Sequence, residues 1–78
     1  MPDEAATEQL DVRQLLCPLP VIRTQARVGA LAPGTVLEVI ATDPGVLQDI
    51  PAWCRIHGHV YLGSEREGRE IRCRLKVC

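Results

Sequence analysis

The 78-residue chain contains no phenylalanine and only two aromatic side chains, Trp53 and Tyr61. A packed core must therefore be aliphatic, and the hydrophobic fraction of 46% is large enough to supply one. The chain also lacks an excess of charge, because nine basic and ten acidic residues give a net charge of -1. This balance argues against the broad basic surface of a nucleic-acid binder, so we expect no stable nucleic-acid binding.

Long hydrophobic runs are missing as well. The longest uncharged stretches, 14–22 and 28–37, contain proline and fall far short of the ~20 residues that cross a bilayer. The acidic N-terminal segment has the opposite charge from a secretory signal. We therefore expect a cytoplasmic protein that is not inserted in a membrane. Residues 1–8 are predicted to be a disordered leader, and residues 9–78 a single domain.

The four cysteines do not form a C-x-x-C pair, so the sequence lacks the usual motif of zinc and thioredoxin-like sites. His57 and His59 do not repeat at ligand spacing either. We therefore predict no metal site. In the reducing cytoplasm the cysteines are expected to be free thiols.

Hydrophobic periodicity predicts six elements. They are a strand over 9–13, a helix over 18–30, a strand over 35–42, a helix over 46–57, a strand over 59–65 and a strand over 70–77. The order β-α-β-α-β-β predicts an α+β fold, a two-layer sandwich with both helices on one face of a four-stranded mixed sheet.

Several details of these elements are testable. The first helix is expected to bury a stripe at every third or fourth residue, consisting of Leu19, Ile22, Ala26 and Ala30. In the second helix, Pro51 predicts a separate first turn, with Asp49 capping the main helix and Trp53 as the largest core anchor. The charged run 65–69 is expected to form the last hairpin loop.

Cys17 differs from the other cysteines in its setting. It is predicted at the N-cap of the first helix, where the helix dipole and the Leu19 and Val21 amides would favour the reactive thiolate. Pro18 and Pro20 stiffen that turn. The alternative is that Cys17 is only a small capping residue.

The remaining cysteines are assigned by their periodicity. Cys54 lies on the apolar stripe of the second helix, and Cys73 lies on the apolar face of the last strand. Both are therefore predicted to be buried, as free cysteines often are. Cys78 at the chain end is left open between an exposed thiol, a second sulfur acceptor and a residue without a role.

The segment around Cys17 resembles the signature of the TusA/SirA-like sulfurtransferases. The matching residues are Leu10-Asp11-x-x-x-Leu15-x-Cys17-Pro18-x-Pro20. Weaker matches follow in the same order along the chain, at Pro33-Gly34, Thr42-Asp43-Pro44, the run 49–54 and Gly58-His59.

This resemblance implies the same β-α-β-α-β-β order, with the last strand inside the sheet and antiparallel to the other three. It also implies that Cys17 accepts sulfane sulfur as a persulfide and passes it to an acceptor protein, an exchange that needs no metal or organic cofactor. The donor would be a cysteine desulfurase or a rhodanese-like protein. Family members serve tRNA thiolation, molybdenum-cofactor biosynthesis and sulfur oxidation, including thiosulfate metabolism. We expect a monomer that forms transient complexes with such proteins.

One residue departs from the family pattern, because Gln14 occupies a position that is usually glycine. If this position has positive φ, glutamine costs on the order of 1–2 kcal/mol there. Asp11 is expected either to orient the loop through a hydrogen bond or to stabilise a turn. The alternative function is a non-catalytic regulatory or RNA-binding module on the same fold, with the strip Arg72, Arg74 and Lys76 as the candidate contact to phosphates.

Overall fold

The computed structural model describes residues 7–78, which form six elements in the predicted order. They are β1 (Thr7–Val12), α1 (Leu19–Val28), β2 (Val36–Ala41), α2 (Val46–His57), β3 (Val60–Glu67) and β4 (Glu70–Lys76). Thr7 and Glu8 belong to β1, so the last two residues of the predicted leader are in the sheet. The rest of that leader lies outside the described residues.

The four strands form one mixed sheet in the order β1-β2-β4-β3. β1 and β2 are parallel, whereas β4 is antiparallel to both of its neighbours, β2 and β3. The inference that the last strand lies inside the sheet is confirmed. Because β1 and β2 are parallel, their carboxyl ends meet at one edge of the sheet.

β4 shows the predicted alternation between a buried and a solvated face. Ile71, Cys73 and Leu75 are fully buried, and Val77 is nearly so. The charged residues between them project from the opposite face. The buried face joins β2 and α2 in the aliphatic core.

The predicted apolar stripe of α1 is wrong. Leu19 and Ile22 are 41% and 54% exposed, and the helix instead buries Pro20, Thr24 and Val28. Thr24 can be buried because its hydroxyl donates a 2.8 Å hydrogen bond to the Pro20 carbonyl within the same helix. The expected residues Ala26 and Ala30 are exposed, and Ala30 lies beyond the helix end.

The predicted break in α2 is also wrong, because the helix is continuous through Pro51 and begins after Gly45. Proline removes only one backbone donor near the start of the helix. Burial of Val46, Ile50 and Trp53 on one face holds the two parts in line. Asp49 lies in the first turn and is not the cap. Gly58, with φ of 80°, ends the helix as predicted.

The charged run 65–69 is not a loop. β3 begins at Val60 and continues to Glu67, and a two-residue turn at Gly68-Arg69 leads directly into β4. Because β3 is an edge strand, its charged side chains project into solvent without interrupting the ladder.

Trp53 is the predicted core anchor, and its environment confirms this. The ring is buried, and its Nε1 donates a 3.1 Å hydrogen bond to Oε1 of Gln25, which connects α2 to α1. The centroids of the His57 and His59 rings lie 4.9 and 5.1 Å from that of the Trp53 ring.

Across the described residues, no helix has the length and apolar character needed to cross a membrane.

Candidate functional site

Cys17 lies in the loop between β1 and α1, and it is exposed. It is not the N-cap of the helix, because Pro18 occupies that position and its carbonyl accepts a 3.1 Å bond from the Ile22 N–H. Pro20 in the first turn is fully buried and anchors the helix start to the core. Pro18 and Pro20 therefore position the helix, while Cys17 precedes it on the surface.

The Cys17 loop is attached to the connection between β2 and α2. The backbone N–H of Cys17 donates a 2.9 Å hydrogen bond to Oδ2 of Asp43. The N–H of Gln14 donates a 2.8 Å bond to the Thr42 hydroxyl. Oδ1 of Asp43 accepts the Gly45 N–H at 3.0 Å, which fixes the carboxylate in place. These bonds hold the loop at the edge where β1 and β2 end together.

Gln14 adopts the left-handed conformation, with φ of 69°, so the condition for a strained glutamine at this position is met. A side chain there costs on the order of 1–2 kcal/mol. The hydrogen bond from Gln14 to Thr42 helps to offset this strain. The loop thus retains a conformation that favours glycine despite the substitution.

The electrostatic environment of Cys17 is the reverse of the prediction. The Leu19 N–H donates to the Leu16 carbonyl at 2.9 Å, and within residues 7–78 no backbone N–H donates to the sulfur of Cys17. The Asp49 carboxylate is the main cause of a raised Cys17 pKa, to which desolvation and the Asp43 charge also contribute. The resting side chain is therefore a thiol.

Asp43 itself has a lowered pKa, because the N–H groups of Gly45 and Cys17 both donate to its carboxylate. The group therefore carries a full negative charge at neutral pH. It supports the backbone of Cys17 and at the same time places that charge beside the sulfur.

Asp11 acts through Arg13. Its carboxylate accepts the Arg13 backbone N–H at 3.0 Å and two side-chain N–H groups at 2.9 Å each. These bonds lower the pKa of Asp11 to about 2. Arg13 also reaches Glu70 at 3.1 Å. Asp11 therefore stabilises the turn that leaves β1, which was one of the two expected roles.

Cys54 and Cys73 lie in the core as predicted, with 1% and 0% exposure. Burial raises the pKa of Cys54 to about 11 and raises the pKa of Cys73 as well. Cys78 is exposed, and its backbone N–H donates a 3.1 Å bond to Nδ1 of His59.

Cys17 stands on an open surface. Cavities of about 420 and 610 Å³ are lined mostly by charged residues, and Cys17 lines neither of them. Its neighbours Leu16 and Leu19 are 70% and 41% exposed. The thiol is therefore accessible to a macromolecular partner.

Sequence reasoning missed the contributions of Thr42, Asp43 and Asp49 to this site. From the sequence, Thr42 and Asp43 are only part of a weak family match and Asp49 is a predicted helix cap, because all three lie about 30 residues along the chain from the loop that they support. The signal was available, because parallel strands place their carboxyl ends together and both strands are followed by polar residues.

Comparison with known proteins identifies the family of this chain. A family model described as Sulfurtransferase TusA matches residues 8–77. Over 67 residues, the chain is 46% identical to the putative sulfur carrier protein YrkF of Bacillus subtilis. This match covers 86% of the chain but 36% of YrkF, so the chain spans about a third of that relative's length.

Two further similarities cover more of the related protein. The chain is 38% identical over 69 residues to the sulfur carrier protein TusA of Allochromatium vinosum, covering 88% of the chain and 91% of that protein. The crystal structure of a SirA-like protein from Desulfitobacterium hafniense has the same fold, with a TM-score of 0.73 and 24% identity. The match covers 88% of this chain and 95% of that one. The chain therefore belongs to the TusA family of sulfurtransferases and sulfur carrier proteins.

Proposed function

We propose that Cys17 accepts sulfane sulfur as a persulfide from a donor protein and transfers it to an acceptor protein. The observation that carries this proposal is the position of Cys17 on a TusA-family chain. It is an exposed thiol on a loop fixed by hydrogen bonds, whereas Cys54 and Cys73 are buried.

The reaction is a thiol exchange that needs no cofactor. Sγ of Cys17 attacks the outer sulfur of the donor persulfide, and the sulfur–sulfur bond of the donor breaks. The electron pair of that bond leaves with the inner sulfur of the donor, which takes up the proton that Cys17 gives up. One sulfur atom moves with no net oxidation. In the second step a thiol of the acceptor attacks the outer sulfur of the Cys17 persulfide, and Cys17 leaves as the thiol.

The open position of the thiol favours protein partners over an enclosed small substrate. Exposed Leu16 and Leu19 flank Cys17 and provide apolar contact area for a transient complex. The proposed donor is a cysteine desulfurase or rhodanese-like protein. The acceptor would belong to a relay for tRNA thiolation, cofactor biosynthesis or sulfur oxidation. A reducing cytoplasm would keep the thiols free for this exchange.

Pro18, Pro20 and Asp11 are proposed as supporting residues. Pro20 anchors the helix start in the core, Pro18 forms its N-cap, and Asp11 holds Arg13 at the opposite end of the loop. None of the three needs to contact the travelling sulfur. Their role is to keep the loop geometry constant while partners exchange.

The charged sheet face gives the RNA-binding alternative no support. Arg74 pairs with Glu38 and Glu65 at 3.2 and 2.6 Å, and Arg72 lies 3.5 Å from Glu70. These pairs neutralise much of the basic strip that would face phosphates.

Intact-mass measurement after incubation with a persulfide donor tests the proposal. The wild-type protein should gain one sulfur atom, which a reductant removes, and Cys17→Ala should gain none. Cys78→Ala is the matched control, because Cys78 is also exposed, and it should load like the wild type. Equal loading of Cys17→Ala and the wild type would contradict the assignment of Cys17.

A further inference from the structure

Two carboxylates converge beside Cys17 from a different part of the chain. Oδ2 of Asp43 accepts the Cys17 N–H at 2.9 Å. A Cβ placed on Gly45 would lie 3.5 Å from Oδ1 of Asp43 and 3.6 Å from Oδ2 of Asp49. Oxygens of the two carboxylates therefore lie within 3.6 Å of one point at the start of α2, and Asp43 also contacts the Cys17 loop directly.

No basic side chain in residues 7–78 forms an ion pair with Asp43 or Asp49. The two carboxylates act on the Cys17 thiol in the same direction, since each raises its pKa. Arg13 is held by Asp11 and Glu70. Arg13 and Arg23 line a cavity with Gln14 and Thr42, and Cys17 does not line that cavity. This contrasts with the electropositive surroundings that usually accompany a reactive cysteine.

We propose that Asp43 and Asp49 make Cys17 selective for sulfur donors that present a positive charge beside the donor sulfur, and that they disfavour free anionic sulfur species such as thiosulfate. An ionised persulfide or thiosulfate that approaches Cys17 alone adds negative charge to a site that already holds two carboxylates. A lysine, arginine or protonated histidine next to the donor sulfur pairs with Asp49 and offsets that repulsion.

The same cation would activate the nucleophile. At rest the Asp49 carboxylate stabilises the protonated thiol, and a cation that pairs with Asp49 weakens this effect. The thiol proton then passes to the inner sulfur of the donor as the new sulfur–sulfur bond forms. Docking and activation are thereby linked, so that Cys17 reacts with its partner faster than with small anions. This inference rests on the proposed function only for the identity of the natural donor.

Exchange with charged disulfides measures this selectivity directly. The full-length protein is mixed with cystamine, hydroxyethyl disulfide or dithiodiglycolate, which are cationic, neutral and anionic, and mixed-disulfide formation on Cys17 is timed. All experiments use Cys78→Ala, so that one exposed thiol remains. Each rate is divided by the rate of the same probe with 2-mercaptoethanol, because the leaving thiols of the probes differ in pKa and therefore in intrinsic reactivity. The order of these relative rates should be cationic, then neutral, then anionic. Asp49→Asn should reduce the ratio of cationic to anionic rates roughly tenfold, since one charge near the reacting sulfur is lost.

The rate ratio separates charge selectivity from a general change in reactivity. Every probe is attacked by the same thiolate, so a changed thiolate fraction or a slightly altered loop scales all three rates together. Glu8→Gln removes one negative charge at the far end of β1, where Glu8 pairs with Arg27 at 2.6 Å, and it should leave the ratio unchanged.

Added salt provides a second measurement that needs no variant at the site, and about 1 M salt should reduce the wild-type ratio. Equal relative rates with the three probes would overturn the inference, as would an Asp49→Asn ratio equal to that of the Cys78→Ala parent. An equally large change in Glu8→Gln would overturn it too. The probes carry no sulfane sulfur, so these outcomes are independent of whether Cys17 is a sulfur carrier.

Discussion

Cys17 and the pair Cys54 and Cys73 show two ways in which one small protein keeps a thiol protonated. At Cys54 and Cys73 the main cause is burial, because a thiolate in the aliphatic core would lose its hydration. At Cys17 the main cause is the neighbouring Asp49 carboxylate on an open surface. Burial is permanent in the folded state, whereas a charge at the surface can be neutralised by a partner.

The comparison shows that access and a removable charge distinguish the proposed carrier thiol from the structural ones. Stabilisation of a thiolate by the start of α1 does not distinguish Cys17, because Pro18 occupies the N-cap and the Leu19 N–H donates to the Leu16 carbonyl. A chain with four thiols can thus offer one of them to partners while two others complete its core.

The largest expected difference between these regions is in alkylation rate. In the folded protein, Cys17 should react with iodoacetamide about a thousandfold faster than Cys54 or Cys73, because the buried thiols react only after the core opens. Peptide mass mapping over time measures each rate, and denatured protein, in which all four thiols react, is the control. Rapid native-state labelling of Cys54 would contradict the comparison.

The burial of Cys54 also predicts a pH dependence of stability. The folded chain holds the Cys54 proton up to about pH 11, whereas an unfolded thiol releases it near its ordinary pKa of 9.0. The folded state therefore binds more protons between these values, and the free energy of unfolding should fall by about 3 kcal/mol as pH rises through this window.

Urea denaturation at a series of pH values measures this fall. Below pH 9.0 the Cys54→Ala variant should be less stable than the wild type. Its free energy of unfolding should fall less between pH 9.0 and about pH 11, because the titrating thiol is absent. An identical pH slope in the variant and the wild type would show that Cys54 is not the source. Cys73 shifts in the same direction, so some slope remains in the variant.

The smallest expected effect concerns backbone strain in the Cys17 loop. Gln14→Gly should raise the free energy of unfolding by about 0.5–1 kcal/mol, because glycine tolerates φ of 69° but gains freedom in the unfolded chain. Gln48→Gly, at an exposed position inside α2, should instead lower it by about 1 kcal/mol. A loss of stability in both variants would indicate that the loop is not strained at Gln14.

The sequence predicted the parts of this protein that local patterns determine. Strict alternation in β4 identified Cys73 as buried, and the spacing of Cys54 from Ile50 identified the core face of α2. Gly58 marked the end of that helix correctly. In each case a single periodicity, or a glycine at a required conformation, was sufficient.

The predictions that are wrong concern features that depend on contacts which the local sequence pattern does not reveal. Burial of Thr24 in α1 depends on its bond to the Pro20 carbonyl, and a count of apolar residues does not anticipate it. The electrostatics of Cys17 depend on Asp43 and Asp49, which reach the loop only because β1 and β2 are parallel neighbours. The sequence identified Cys17 as the candidate nucleophile, but tertiary structure decided the charge around it.

The central claim is that Cys17 alone carries the transferred sulfur, and peptide mapping of the loaded wild-type protein tests it most directly. After incubation with a persulfide donor, the additional sulfur atom should be found on the Cys17 peptide and on no other. It should disappear when an acceptor thiol is added. Sulfur found on the Cys54, Cys73 or Cys78 peptide, or sulfur on Cys17 that no acceptor thiol removes, would contradict the account.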